Sequence, residues 1–593
     1  MNPSTAFAQV VVDEMVRGGV EHAVLAPGSR SAPLALAFAA AERAGRLRLY
    51  VRTDERSAGF LALGLAKGSG TPVPILTTSG TAAAHLHAAV LEASYSGVPL
   101  IALTADRPPE LRGIAANQTI DQIRLYGEAV RFFADVDVPE RSKGSNEHWR
   151  ALVCRALIAA RGITEDRRPG AVHLNLPLRA PLLPGLPESG DGSAAEQAWP
   201  ESLDGREDGR SWVAARSRLV GRPDAPSYGD GRSDSDSDVD SDADVDADVD
   251  AEEPTWLVLG DAAAEISEAA VALARRRGWP ILAEPTGNAG AAAVPAYLGL
   301  LESEAFLERH LPQRVVCVGR PTLSRAVQHL LDHERVRVER YALGPQWTGL
   351  SDSIEELRDR ELARFGPDTA DPATALIELL AAAGEELSEH QDRILDEGYL
   401  GGAKVARDLV SRLPDGSRLF IGSSTPIRDV DRYAHPRDGI RMVANRGVAG
   451  IDGSVSTPVG LALSEPDRST FALIGDLTFL HDLGGLVIPA AEPKPDLTFV
   501  VVDNRGGGIF AQLEPGRPEY ERDYDRVFGT PHQLDLVEVA RSLGWEAEEV
   551  TKTEQLGAAL SRGGPRVVVV RTDQRKDAEL LRRVREGPDG TTA

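Results

Sequence analysis

Cysteine is almost missing from this chain: 593 residues include only Cys154 and Cys317, each inside an apolar run. Two isolated thiols exclude a disulfide scaffold and a thiolate metal centre, and are expected to be buried and inert. No stretch of 18 uncharged apolar residues occurs, which excludes an ordinary membrane-spanning helix. The opening MNPSTAFAQVVVDEMVRGG has no basic segment leading into an apolar one, so a cytoplasmic protein without a membrane partner is expected. Positive charge is also short, with 65 basic against 90 acidic residues and a net charge of −25, which argues against nucleic acid as a partner. Lysine supplies only six of those basic residues, a bias that carries no functional implication.

The acids are unevenly placed. Residues 233–253, SDSDSDVDSDADVDADVDAEE, hold eleven of them and no base. The alternation resembles part of a calcium loop, but the sixth-position glycine and the twelfth-position glutamate are missing, so a disordered, self-repelling linker is expected over 184–253. The length predicts three or four domains. Over residues 1–183 apolar strand patterns at 22–26, 48–52, 73–77 and 99–104 alternate with helical patterns at 7–16, 32–41, 57–67 and 82–93. A central block, 254–390, repeats the pattern with strands near 256–259, 280–283 and 314–318. A third, 391–575, has strands near 418–421, 441–444, 470–474, 497–502 and 566–570. The expected class is α/β, three doubly wound parallel-sheet domains, followed by a tail at 576–593 that frays from Arg582.

Ligands of open parallel sheets gather at the carboxyl ends of the strands. In the first block those ends read Pro27-Gly28-Ser29-Arg30-Ser31, Asp54-Glu55-Arg56, Thr78-Ser79-Gly80-Thr81 and Asp106-Arg107-Pro108-Pro109. In the third they read Gly422-Ser423-Ser424-Thr425 with Arg428, Asn445-Arg446-Gly447, Gly475-Asp476, and Asp503-Asn504-Arg505-Gly506-Gly507-Gly508. Each has a plain reading as a helix cap, a first-turn acid or a turn. Asp476 at a strand–helix junction is either such a cap or a ligand. A hard divalent cation holding a diphosphate wants a carboxylate, an amide oxygen and a backbone carbonyl, and Asp476, Asn504 and the Gly506 carbonyl supply that set. Glycines at 506–508 let backbone come close to a phosphate. His85 and His87, two apart on a helical pattern, do not make a metal site, and Gly260-Asp261-Ala262 lacks the later glycines of a dinucleotide loop.

A G-D followed 28 residues later by N, each after an apolar strand, resembles the diphosphate signature of thiamine-diphosphate enzymes, although Leu477 and Asp503 depart from its GDG…NN form. The runs APGSRSAPL (26–34), DERSAGFLALGLAK (54–67), TSGTA (78–82), LTADRPPEL (103–111) and ANQTIDQ (116–122) are similar to those of the MenD family, the SEPHCHC synthases of menaquinone biosynthesis. NRGVAGIDG (445–453), GDLTFLHDL (475–483) and GGGIFAQL (506–513) continue that likeness, which is thin in the central block.

The resemblance implies a transferase that decarboxylates 2-oxoglutarate on thiamine diphosphate and adds the succinyl carbanion equivalent to isochorismate, with Mg²⁺ or Mn²⁺. It implies pyrimidine-binding, central and diphosphate-binding domains, and a homodimer or dimer of dimers in which the first domain of one subunit faces the third of another. Glu55 would be the catalytic carboxyl on the pyrimidine ring. Gly80, Thr81, Ile451, Gly475, Asp476, Asn504, Gly506, Gly507, Ile509 and Phe510 would bind the cofactor, with Ile451 propping it into a bent form. Ser424, Arg428 and Arg446 would hold the oxoglutarate-derived group. Ser29, Arg30, Arg107, Asn117 and Gln118 would face isochorismate, and Leu513 would border the pocket. Both substrates are dicarboxylates, and four arginines at the strand ends, Arg30, Arg107, Arg428 and Arg446, suit them. Another thiamine-diphosphate decarboxylase or carboligase acting on monocarboxylates would not need all four; the remaining alternative is a non-catalytic α/β relative.

Overall fold

The computed structural model describes residues 1–163, 169–183, 199–213, 253–341, 357 and 374–585. They form three all-parallel sheets. The first contains β1 (His22–Leu25), β2 (Arg48–Val51), β3 (Val73–Thr77), β4 (Leu100–Asp106), β5 (Phe133–Asp135) and β6 (Val172–Pro177), in the order β2-β1-β3-β4-β6-β5. The central sheet contains β7 (Thr255–Leu259), β8 (Ile281–Ala283), β9 (Arg314–Val318) and β10 (Arg337–Tyr341), ordered β10-β9-β7-β8. The third contains β11 (Arg418–Ile421), β12 (Arg441–Val443), β13 (Thr470–Gly475), β14 (Leu497–Asp503), β15 (Glu546–Val550) and β16 (Arg566–Arg571). Its order, β12-β11-β13-β14-β16-β15, repeats that of the first.

Strands such as VPILT (β3) and LTFVVVD (β14) are nearly continuous apolar runs because helices cover both faces of a parallel sheet. Four strands lie beyond the sequence expectation. β5, β10 and β15 are short or charge-bearing edge strands, half exposed, and β6 carries His173 and Asn175 in a fully buried run. The helix expected over 82–93 breaks at His85-Leu86 into Thr81–Ala84 and His87–Ser96.

One core cluster runs from the first unit into the third, joining Phe60, Leu61 and Leu65 to Val455, Val459 and Phe499. Its seam is the contact of helix Glu55–Ser69 with helix Ser456–Ser464. A Cβ at Gly64 would strike the Thr457 carbonyl and one at Gly460 the Leu61 carbonyl, so both positions require a bare α-carbon. The central sheet has its own two clusters.

Two expectations are corrected at the margins. Of the linker 184–253, residues 199–213 pack on the first unit: Trp199 and Leu203 rest on its core, and Glu201 accepts from the amides of Gly144 and Asn146 at 2.8 and 2.9 Å. Residues 184–198 and 214–252, with nearly all of the acidic repeat, lie outside the described residues. The tail expected from 576 begins instead with helix Gln574–Arg585, whose Leu580, Leu581 and Val584 are buried against Leu395, Ala403 and Tyr433. Residues 586–593 lie outside the described residues.

Candidate active site

β13 and β14 are neighbours in register, so the loops leaving them meet. Asp476 opens helix Asp476–His481 without capping it. Its Oδ1 accepts from the Leu477 amide (2.6 Å), and its Oδ2 accepts from the Gly506 amide (2.8 Å) and faces His532 Nε2 at 3.2 Å. Burial, augmented by the charge of Asp503, pushes the Asp476 carboxyl up to about 6. On the same cleft Asn504 Oδ1 is buried and has no hydrogen-bond partner among the described residues. Gly506 has φ +151°, and a Cβ there would run into the Gly529 carbonyl, so only glycine brings this backbone against Asp476. A buried carboxylate and an orphaned amide oxygen on one cleft suit a hard cation, the chemistry expected of Asp476 and Asn504.

The structure adds a histidine that sequence reasoning missed. Asp476, Asp503 and His532 bring ligand atoms within 4.8 Å of one another. A lone histidine in a loop, 28 residues beyond Asn504, offers no periodic signal.

These groups lie on a cleft of about 1080 Å³, open side included. Of the residues expected to bind cofactor, Ile451, Gly475, Asp476, Asn504, Gly506, Gly507, Ile509 and Phe510 line it, as does Ser424. Ile451, Ile509 and Phe510 give it an apolar wall. Helix Gln574–Arg585 closes another side through Gln574, Asp577 and Leu580; the i, i+1, i+4 spacing of Leu580, Leu581 and Val584 was the available signal for that helix. Ser424 sits at φ +78°, ψ −135°, a conformation that strains any residue with a side chain, and its carbonyl accepts from Arg428 Nη1 at 2.7 Å.

Arg428, Arg446 and Leu513 are not lining residues of the cleft. Arg446 is buried, its Nη2 donating to Thr322 Oγ1 of the central unit at 2.6 Å, while Leu513 is 40% exposed.

The first-unit candidates form a separate group at the ends of β1, β3 and β4. Arg107 donates to Ser79 Oγ and, at 2.9 Å, to the Asn117 carbonyl; Gln118 Nε2 donates to the Ser79 carbonyl at 3.0 Å. The Gly80 amide donates to Gln122 Oε1 at 2.9 Å, and Arg30 Nη1 to the Leu178 carbonyl at 2.7 Å. Burial and the nearby Arg107 charge lower the pKa of Arg30, against the opposing pull of the Asp106 carboxylate. Ser29 and Thr81 are exposed at the rim. Glu55, half buried, starts helix Glu55–Ser69 behind the Asp54 cap. No first-unit residue lines the cleft of its own chain among the described residues.

Two like sheets, one ending in a cation-ready cleft and the other in an arginine-bearing rim, define a thiamine pyrophosphate enzyme. The family model for the N-terminal TPP binding domain of such enzymes matches residues 5–125, and that for the C-terminal TPP binding domain matches 422–570. A model of a bacteriophage baseplate protein N-terminal domain matches residues 347–412. Over nearly its full length the chain is similar to curated proteins named 2-succinyl-5-enolpyruvyl-6-hydroxy-3-cyclohexene-1-carboxylate synthase. It is 45% identical to that of Saccharopolyspora erythraea, covering 97% of this chain and 96% of the relative. It is 46% identical to that of Thermobifida fusca and 42% to that of Nocardia farcinica, each over 99% of both chains. The chain belongs to this synthase family.

Proposed function

We propose that the chain is a SEPHCHC synthase of menaquinone biosynthesis, a transferase that takes 2-oxoglutarate as donor and isochorismate as acceptor and releases CO₂. The observation that carries the reading is the orphaned Asn504 Oδ1 beside Asp476, in a cleft whose far wall is apolar. Asp476, Asn504 and the Gly506 carbonyl would hold Mg²⁺ or Mn²⁺ and with it the diphosphate of thiamine diphosphate. When bound, that cofactor would supply a nucleophilic carbon for the 2-oxo carbon and a cationic ring that takes up the electron pair left by CO₂. Ile451, Ile509 and Phe510 exclude water around it, which strengthens every charge interaction in the cleft. Ser424, Arg428 and Arg446 would bind the donor's carboxylates, and Ser29, Arg30, Arg107, Asn117 and Gln118 the acceptor's, Arg being the side chain whose fork fits a carboxylate.

Among the described residues the cleft has no acid–base group from the first unit, and Glu55 would come from a second chain, holding a proton at its carboxyl; such groups contribute roughly 10²–10⁴ in rate. Exposed apolar side chains support the pairing. Ile114, Ile120 and Ile123 follow the strand ends of the first sheet, and Leu513, Tyr520, Val527 and Leu534 follow those of the third. A homodimer or dimer of dimers would bury them. The same reading sets the enzyme in the cytoplasm; among the described residues no helix is long and apolar enough to cross a membrane.

The test is incubation of the protein with thiamine diphosphate, Mg²⁺, 2-oxoglutarate and isochorismate, followed by mass spectrometry of the adduct. A kcat/KM with pyruvate equal to or above that with 2-oxoglutarate would overturn the donor assignment. Cofactor binding without CO₂ release would overturn catalysis itself.

A further inference from the structure

The segment Ala444–Val448, which carries Arg446, is gripped by side chains of both other units. From the first, Lys67 Nζ donates to the Ala444 carbonyl (2.5 Å) and to Asn445 Oδ1 (3.2 Å), and the carboxylate of Glu92, 1% exposed, accepts from the amides of Gly447 and Val448, each at 2.8 Å. From the central unit, Arg320 Nη2 donates to the Arg446 carbonyl at 2.6 Å, and Thr322 Oγ1 accepts from Arg446 Nη2 at 2.6 Å. Thr322 is itself fixed from behind, since Glu284 Oε1 accepts from the amides of Thr322 and Leu323 at 2.6 and 2.7 Å. The grip is close: a Cβ on Gly447 would lie 2.6 Å from the Glu92 carbonyl oxygen.

Arg446 is 6% exposed, its Nε is buried with no hydrogen-bond partner, and it makes no salt bridge among the described residues. A buried guanidinium without a carboxylate partner is costly unless an anionic ligand completes it. Its aim then decides how well that ligand is held, because a misplacement of about 1 Å can cost about 10²-fold in rate.

We propose that Glu92, Lys67 and Thr322 are positioning residues that hold Arg446 in line for the distal carboxylate of a dicarboxylate donor, so that the central unit acts on donor specificity through Thr322. The proposal rests on the reading of Arg446 as a donor contact. It gives the central unit a task although none of its described residues lines the cleft.

The test compares full-length wild type, Thr322→Val, Thr322→Ser and Arg446→Ala, each with thiamine diphosphate and Mg²⁺, using 2-oxoglutarate and pyruvate as donors. Loss of the hydroxyl in Thr322→Val is expected to raise the 2-oxoglutarate KM about tenfold, the equivalent of one hydrogen bond to a charged group. kcat and the pyruvate KM should stay within about twofold, and Thr322→Ser should restore the parent values. Glu92→Gln should speed hydrogen exchange at the Gly447 and Val448 amides and raise the same KM. An unchanged 2-oxoglutarate KM in Thr322→Val, or an equal loss for both donors, overturns the positioning role. If Arg446→Ala itself leaves that KM unchanged, the donor reading of Arg446 falls; if it raises KM while Thr322→Val does not, the grip alone falls.

Discussion

The amide of Gly506 donates to Asp476 Oδ2 across 2.8 Å, tying the loop that leaves β14 to the one that leaves β13. A carboxylate already aimed by a backbone donor needs no rearrangement to meet a cation, which is how the loss of its charge can be separated from the loss of its shape. Asp476→Asn keeps the size and one acceptor oxygen but removes the charge. It is expected to fold like the parent and to lose at least tenfold in Mg²⁺-dependent thiamine diphosphate affinity, measured by calorimetric titration. Parent-like affinity would remove Asp476 from the cation site.

Glu55 and Asp476 belong to different units, and no first-unit residue lines the cleft of its own chain among the described residues. If the cleft is completed by a second chain, Glu55→Gln and Asp476→Asn are each inactive alone but complement when mixed and allowed to exchange subunits. Half of a random mixture would be mixed dimers with one intact site, so about a quarter of parental activity should return. A mixture as inactive as its components would show that both residues act within one chain.

Ser424 holds a left-handed backbone beside the cleft, at φ +78°. Such strain costs about 1–3 kcal/mol and persists where function demands the geometry. Ser424→Gly should therefore raise the denaturant midpoint while raising the 2-oxoglutarate KM through loss of the hydroxyl. A lower midpoint would show that this backbone is not strained.

Glu284 and Asp431 are buried acids whose charges repel; burial, with that repulsion, pushes Glu284 up to about 8, and burial pushes Asp431 up to about 7. In the unfolded chain Glu284 ionises near its ordinary value of 4.5, whereas in the fold it keeps its proton to about pH 8. Its contribution to stability is thus fully present below about pH 4.5 and is lost as pH rises to about 8. Glu284→Gln cannot ionise, so its denaturant midpoint should gain on the parent between pH 5 and 8 and then hold a constant lead. Parallel curves over that range would place the ionised form in the fold.

Much of this architecture was legible because parallel strands covered on both faces leave continuous apolar runs. The meeting of Asp476, Asn504 and Gly506 on one cleft was legible as well, since ligands of such sheets gather at the strand ends. His173 and Asn175 hid β6 by setting polar side chains inside the sheet, where Thr104 Oγ1 lies 2.7 Å from His173 Nε2 and 3.0 Å from Asn175 Oδ1. Charge hid β10 and β15, whose outer edges face water. Long-range partnerships such as His532 with Asp476, or Thr322 with Arg446, depend on how loops of distant sequence converge, and no local pattern encodes them.

The seam at Gly64 and Gly460 has a corollary for how the chain can be cut. Because a single apolar interior spans the two outer lobes, neither lobe produced alone would shield its half of that interior from water. The two should melt in one cooperative transition.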